Sequence, residues 1–593
     1  MASDEWSTYR EVQKDPISNG QARRIRHERS LGPTEVSYYL GSRGKGVEGG
    51  VNDMYLHIGF KARASLMKPE RVLDVWTELT TKHRLLGSSI VFRDYHDIRF
   101  RYDVPLNSAE TRAKAASLLE LVTEQDPQTV RSEYLNGARL LSDSRLAYLI
   151  ISTPEPSFTP AEADLAVDAE REQDYDLFLL STHFIGDGMA LHTTANEFFT
   201  LLASEQGDEA LPCQHIEAVL AARGDKPTPP GTESTGDDAV EEARTLAPAM
   251  ESKLVVPATW GKMGWSAAKV EFANEQAKLV GGHAFPRARL GPRHTLVQTV
   301  SYPLAETKRI LAACKLHGVT IAHAMFALSS LAYVRTVEER GKNPELPVML
   351  YSALNVRGHL KRENPPVDPY HIAIGYYNII LPSFLPRDLP ASAYFWHQAR
   401  SVQQQTTRAT KTPLLAARTL LMALERERRS IGFERADDER REREATEAMV
   451  GLGISGVAAE QEERAGADDA AQPKEEQAHV KPARDAQTQQ QKQEHFDRSA
   501  RPKAPSTALM GLSMLGNLDA IYRHEQYHGI KLHTLTTGSR QRPGALLLFA
   551  YTFAGQLWIS LGCDSNGFER GVIERWWAAL LAGVEQFLVL DEA

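Results

Sequence analysis

The sequence predicts a mixed α/β protein folded as two lobes, with a site at their interface. Three observations carry this expectation. Strand-like and helix-like segments interleave along the chain, the pattern of α/β architectures. Two stretches of similar mixed content lie on either side of a proline-rich linker, and ligand sites favour such interfaces. Hydrophobic residues make up 42% and charged residues 24% of 593 positions, which is ordinary globular usage with room for several domain-sized units.

The elements follow in order. Val36–Leu40 and Met54–Phe60 are short and rich in aromatic or β-branched residues, so both read as strands. Lys68-Pro69-Glu70 opens a helix whose apolar positions Val72, Leu73, Val75, Trp76 and Leu79 recur at helical spacing, with Pro69 where a first-turn proline is tolerated. Ile98–Val104 reads as a strand and Ala109–Thr123 as a helix by propensity. Arg145–Ser152 and Tyr175–Thr182 are strands, and Met189–Ala203 resumes the helical period. Gly224–Asp238 carries three prolines among Gly, Ser and Thr and reads as a loop. Ala273–Arg293 also reads as irregular. A second α/β stretch has strands at Leu296–Tyr302, Val348–Leu354 and Tyr376–Leu381, and helices at Leu304–His317 and Ile321–Arg340 with Gly318 between them. Ala545–Phe553 and Gln556–Gly562 form a hairpin about Ala554-Gly555, and Gly571–Leu588 closes the chain as a helix.

Between these parts, residues 425–505 are dense in Glu, Arg, Ala, Gln and Asp and poor in aromatics. They read as a solvated insertion, helical at its start and otherwise disordered. An apolar island at Met449–Val457 interrupts it. The expected division is an N-terminal lobe (1–222), a linker or crossover (223–294), the first part of a C-terminal lobe (295–424), the insertion (425–505) and the last part of the C-terminal lobe (506–593).

Charge and cysteine content exclude several classes. Lys and Arg number 68 against 77 Asp and Glu, so a dedicated nucleic-acid binder is not expected. Cys213, Cys314 and Cys563 are far apart and form no CxxC, which suits a reducing compartment and offers neither a disulfide framework nor a cysteine zinc site. No uninterrupted apolar run approaches the ~20 residues of a membrane span. The polar start MASDEWSTYR resembles no secretory signal, and the expectation is a soluble cytoplasmic protein.

The strongest chemical signal is Ser181-Thr182-His183-Phe184-Ile185-Gly186-Asp187-Gly188-Met189, between an apolar strand and a helix. A histidine at a strand end is held by rigid backbone and can still face a cleft, where it can work as a general base. Asp187, four residues on, either orients the ring or pairs elsewhere and pins the loop. Gly186 and Gly188 permit a sharp turn.

This HxxxDG run resembles the CoA-dependent acyltransferase superfamily, which includes chloramphenicol acetyltransferases, plant BAHD acyltransferases, fungal trichothecene O-acetyltransferases and the condensation domains of peptide synthetases. Lys68–Leu86 resembles the first helix of these proteins, Ser352–Leu360 (SALNVRGHL) their Asn-x-Arg segment, Ser513–Asp519 (SMLGNLD) a short Asn/Gly motif, and Leu557–Leu588 the terminal strand, turn and last helix. The resemblance covers most of the chain outside the insertion. It implies two chloramphenicol-acetyltransferase-like lobes and a CoA-dependent O- or N-acyltransferase. His183 matches the general base, Asp187 the structural acid, Arg357 its arginine partner, and Gly188 a close backbone passage. Acyl-CoA is the implied co-substrate, with no permanently bound cofactor and no metal. The acceptor is a hydroxyl or amine of a small molecule, possibly of secondary metabolism. A stand-alone condensation enzyme drawing on a carrier protein, or a non-catalytic binding member of the fold, is the alternative. No acyl-enzyme is expected, since no activated Ser or Cys adjoins His183 in sequence. The BAHD motif DFGWG is absent, which leaves the oxyanion donor open; Ser513, Asn517 and Tyr377 are candidates by chemistry.

Two further strings read as coincidental. His524-Glu525-Gln526-Tyr527-His528 matches HExxH, yet Gly529 follows at once and a surface turn is expected. Gly44–Gly49 matches GxGxxG, yet the following segment reads as strand and not helix. The basic clusters Arg23–His27 and Arg426–Arg443 read as solvated surface, with contact to CoA phosphates as the alternative.

Overall fold

A computed structural model describes residues 26–44, 49–158, 171–204, 246–257, 260–337, 344–361, 370–386, 388–451 and 504–590. Sixteen strands occur among them. In the first half these are β1 (Arg26–Ser30), β2 (Met54–Arg63), β3 (Ser89–Asp94), β4 (Asp97–Asp103), β5 (Leu119–Val122), β6 (Ala147–Ser152), β7 (Glu172–Ser181) and the two-residue β8 (Gly281–Gly282). The second half supplies β9 (Thr295–Tyr302), β10 (Val348–Asn355), β11 (Ile374–Leu381), the two-residue β12 (Ser506–Thr507), β13 (Met510–Asn517), β14 (Ile530–Ser539), β15 (Leu546–Phe553) and β16 (Gln556–Asp564).

Two larger sheets organise the lobes. The first runs β14-β2-β7-β6-β5, with β7 in the middle between antiparallel β2 and β6. The run Leu177-Phe178-Leu179-Leu180 is buried on both faces, as a central strand covered on both sides requires. The second sheet runs β11-β10-β13-β15-β16-β9 and mixes parallel with antiparallel pairs. Helices Leu304–Leu316, Ile321–Val337, Ala391–Thr410 and Val572–Val584 accompany this half, and their buried residues, among them Phe326, Trp396 and Trp576, join its strands in one apolar core. The fold is thus mixed α/β in two lobes, each built on one of the larger sheets.

Several local expectations need correction. Val36–Leu40 is not a strand. It lies in helix Pro33–Ser42, where Pro33 opens the first turn and the Glu35 side chain accepts from the Gly32 N–H at 2.7 Å. Ala109–Thr123 divides into helix Ser108–Ala116 and strand β5. The irregular stretch expected from Ala273 begins inside helix Gly261–Ala277. The segment 506–593 does not stay within one lobe, because β14 crosses to pair with β2 in the first sheet. Local periodicity identifies a strand but carries no information on so distant a partner.

The chain forms two compact units, 1–430 with 506–593, and 431–505. The second contains the end of helix Leu415–Gly451, where Arg440 and Arg441 pair with Asp437 and Asp438 at 3.0 and 3.1 Å. The linker Gly224–Asp238, most of the GxGxxG string, Arg23–Ile25, Cys213 and the rest of the insertion lie outside the described residues, and so does most of Met449–Val457. Among the described residues no single helix is long and apolar enough to cross a membrane.

Candidate active site

His183 stands two residues beyond the end of β7. The chain is held there by the Thr182 N–H, which donates to the Leu146 carbonyl at 2.9 Å. Helix Gly188–Leu202 then begins with Asp187 as its cap, one carboxylate oxygen accepting from the Ala190 N–H at 3.1 Å. The turn between strand and helix is therefore fixed at both ends.

The His183 ring is oriented by the turn itself. Its Nδ1 lies 3.0 Å from the Gly186 carbonyl oxygen. A carbonyl can only accept, so Nδ1 carries the proton and Nε2 keeps its lone pair. Tyr38 stacks on the ring, centroids 4.2 Å apart and planes 26° from parallel. Burial lowers the imidazole pKa below its usual value, so the neutral base form prevails at pH 7.

Asp187 does not orient His183. Its second carboxylate oxygen accepts from Arg357 Nη1 and from the Ala373 N–H, both at 2.8 Å. Arg357 Nη2 donates to the His371 carbonyl at 2.6 Å. The acid thus ties the loop after β7 to the segment between β10 and β11, one lobe to the other. Burial alone would raise the Asp187 pKa. The Arg357 charge and three hydrogen bonds outweigh it and hold the carboxyl below the usual carboxylate range.

The tight glycine is Gly186. A Cβ there would lie 2.9 Å from Tyr370 Cε1 and 3.2 Å from its Cζ, and the buried Tyr370 donates to Ser181 Oγ at 2.8 Å. At Gly188 a Cβ would meet Leu515 Cδ2 at 3.5 Å, an ordinary contact. Gly186→Ala is accordingly expected to cost about 1–3 kcal/mol by overpacking, while Gly188→Ala costs less; chemical denaturation of the two variants checks this.

The remaining predicted residues are more scattered. Ser513 is half-buried on β13, two residues before Leu515. Asn517 is exposed at the end of β13, and its Oδ1 accepts from the Asp519 N–H and from Thr552 Oγ1. Tyr377 packs its ring toward Phe326 in the core of the second lobe. Its neighbour Tyr376 is the residue whose hydroxyl bonds that of Tyr38. His524–Gln526 is a single 3-10 turn in which His524 Nε2 meets Asp519 at 3.0 Å. No group of three or more metal-binding side chains occurs among the described residues.

Three residues joined to His183 through the Tyr38 ring lie outside the motif: Tyr38 itself, Tyr376 and Arg426. The Arg426–Arg443 cluster was expected on solvated surface, yet Arg426 packs its guanidinium carbon 4.3 Å from the Tyr376 ring centroid and 5.5 Å from that of Tyr38. Among the described residues, Arg426 Nε is buried without a hydrogen-bond partner. Burial raises the Tyr38 pKa well above its ordinary value, so its hydroxyl stays protonated.

Comparisons with known proteins place the fold. No family model matches the chain, and no curated protein matches it in sequence. Solved structures do match. A trichothecene 15-O-acetyltransferase, TRI3 of Fusarium sporotrichioides, superposes with a TM-score of 0.67 at 11% identity, over 99% of this chain and 98% of that one. The nonribosomal peptide synthetase FmoA3 matches with a TM-score of 0.50 at 14% identity, over 99% of this chain and 46% of that one. A four-domain nonribosomal peptide synthetase also matches at 0.50 and 10% identity, over 97% of this chain and 34% of that one. At these identities the likeness establishes the fold shared by acyltransferases and condensation domains.

Proposed function

We propose that the protein is a CoA-dependent acyltransferase that moves an acyl group, acetyl in the simplest case, from acyl-CoA to a hydroxyl or amine of a small molecule. One observation carries the reading most directly. The Gly186 carbonyl holds the Nδ1 proton of His183 and leaves Nε2 as an oriented, part-buried base. In this reading the acceptor O–H or N–H gives its proton to Nε2 while its heteroatom attacks the thioester carbonyl. The tetrahedral intermediate then collapses, the C–S bond breaks, and the proton on Nε2 passes to the departing CoA thiolate. Neither oxidant nor metal enters this balance. Alignment of both reactants at one imidazole and base catalysis supply the rate. TRI3 supports the direct-transfer form, being an O-acetyltransferase that matches this chain nearly end to end.

The first test is thiol release from acetyl-CoA and longer acyl-CoAs against a panel of small alcohols and amines, with carrier-protein thioesters as a parallel donor set. The proposal expects acceptor-dependent release from acyl-CoA. Release from carrier-bound thioesters alone would favour the condensation-type alternative, and release from neither would favour a binding role.

The pH profile is a second expected outcome. Because burial lowers the His183 pKa from 6.5, kcat/KM should fall on the acid side with a midpoint below 6.5 and stay level through pH 7. A midpoint at or above 6.5 would contradict the buried-base geometry.

A further inference from the structure

Helix Leu415–Gly451 brings one face toward the site. Leu415, Thr419 and Met422 line a cavity of about 220 Å³ that also has Tyr376 in its wall. Arg426 follows Met422 by four residues and so continues the same face by one turn. Its guanidinium meets the rings of Tyr376 and Tyr38, and Tyr38 lies against His183. The groups that face it electrostatically are the phenols of Tyr376, Tyr38 and Tyr351. Among the described residues no carboxylate pairs with it.

This is an expensive arrangement for a structural arginine. Among the described residues its Nε is buried without a hydrogen-bond partner, and a guanidinium nitrogen so placed is costly unless an acceptor meets it. A hydrogen bond to the Tyr38 hydroxyl and cation–π contact with two tyrosines return only part of that. Arginine is suited to planar, bidentate recognition of a carboxylate, and the phenol proton not used between Tyr38 and Tyr376 adds a donor beside it.

The position limits what the anion can be. The guanidinium carbon is 5.5 Å from the Tyr38 centroid, which is itself 4.2 Å from that of His183, so at most two such steps separate the charge from the base. With the thioester at His183, the phosphates of CoA lie a whole pantetheine arm away. The anion therefore belongs to the small reacting groups.

We propose that Arg426, with Tyr38 and Tyr376, forms a carboxylate-recognition site beside His183, selecting a substrate whose carboxylate lies close to the reacting centre. That carboxylate sits either on the acceptor, as in a hydroxy or amino acid, or at the far end of a dicarboxylic acyl group. The inference rests on the acyl-transfer reading of His183, and its test uses binding so that the two fail separately.

The experiment is calorimetric binding to the whole protein in two arms. The donor arm compares succinyl-CoA and malonyl-CoA with acetyl-CoA. The acceptor arm compares 3-phenyllactate, 4-hydroxyphenylacetate and 3-hydroxybenzoate with their methyl esters. Wild type is expected to favour the carboxylate by at least ~10-fold in one arm, as a charge-assisted bidentate pair would give. Preference in the donor arm places the carboxylate on the acyl group, and preference in the acceptor arm places it on the acceptor. In Arg426→Gln the ratio should fall toward one, and Arg426→Lys should keep part of it. Reading the ratio within each variant cancels general damage, and melting curves confirm that each is folded. Equal affinities in both arms, or a preference that survives in folded Arg426→Gln, would overturn the proposal. Thiol-release activity without any carboxylate preference would overturn it alone; a preference without activity would overturn only the acyl-transfer reading.

Discussion

His183→Ala is expected to lower kcat by about 10²–10⁴-fold, the range contributed by a positioned general base, with a small change in KM for the acyl donor. The reasoning is geometric. The ring contributes through Nε2 alone, because Nδ1 is committed to Gly186 and the Asp187 carboxylate is committed to Arg357 and Ala373. Asp187, held by Arg357 and the Ala373 N–H, is not free to act as the base in its place. The substitution removes a ring that stacks on Tyr38, so the variant will also lose some packing. Glutamine at 183 fills more of that space without a base of suitable strength and should be as slow as alanine. Steady-state rates of both variants, each shown to be folded, check the expectation.

Arg357→Ala is expected to destabilise the protein by about 3–5 kcal/mol, the cost of leaving one partner of a buried ion pair alone. The Asp187 side chain is 4% exposed and that of Arg357 24%, so the acid bears most of the penalty. The change also leaves the His371 carbonyl without its donor. The pH dependence follows from the sign of the shift. In wild type the Asp187 pKa is depressed by folding, so the stability it provides is complete above the unfolded value of about 3.9 and is lost as pH falls through the lower folded value. In Arg357→Ala the charge that depresses this pKa is gone, so the acid-side loss of stability traceable to Asp187 should shrink. Urea unfolding of both proteins at pH 7 and pH 3 reads both effects. A double variant, Asp187→Asn with Arg357→Met, should recover part of the loss, since it leaves no buried charge unpaired.

These outcomes also mark how much of the molecule the sequence reveals. The apolar run Leu177–Leu180 announces β7 because burial on both faces leaves no polar alternation, and the residues after it carry the site in a continuous string. The placement of His183, Asp187 and Arg357 is legible because it depends on local backbone and one long-range pair that the resemblance supplies. Tyr38 is hidden by its own neighbourhood. Val36–Leu40 resembles a strand in composition, and only the Gly32, Pro33 and Glu35 signals, weighed above the aromatic content, would have given the helix that stacks Tyr38 on His183. Tyr376 differs from Tyr377 by a single residue, and which of them meets Tyr38 is set by strand register, which composition does not report. Arg426 is obscured by the Arg- and Glu-rich sequence after it, although the turn before it, through Leu415, Thr419 and Met422, has the spacing of a buried face. Gly186 needs the Tyr370 ring, which comes from a segment 184 residues later, so nothing local distinguishes it from Gly188.

The central claim is that His183 is the base of a direct acyl transfer. It is tested by mixing protein with acyl-CoA, with and without an active acceptor, and following thiol release in wild type and His183→Ala side by side. The account predicts release by wild type only when acceptor is present, no acyl group on the protein by mass, and a rate at least ~100-fold lower in the folded variant. Release at the wild-type rate without His183, or an acylated protein formed in the absence of acceptor, would contradict it.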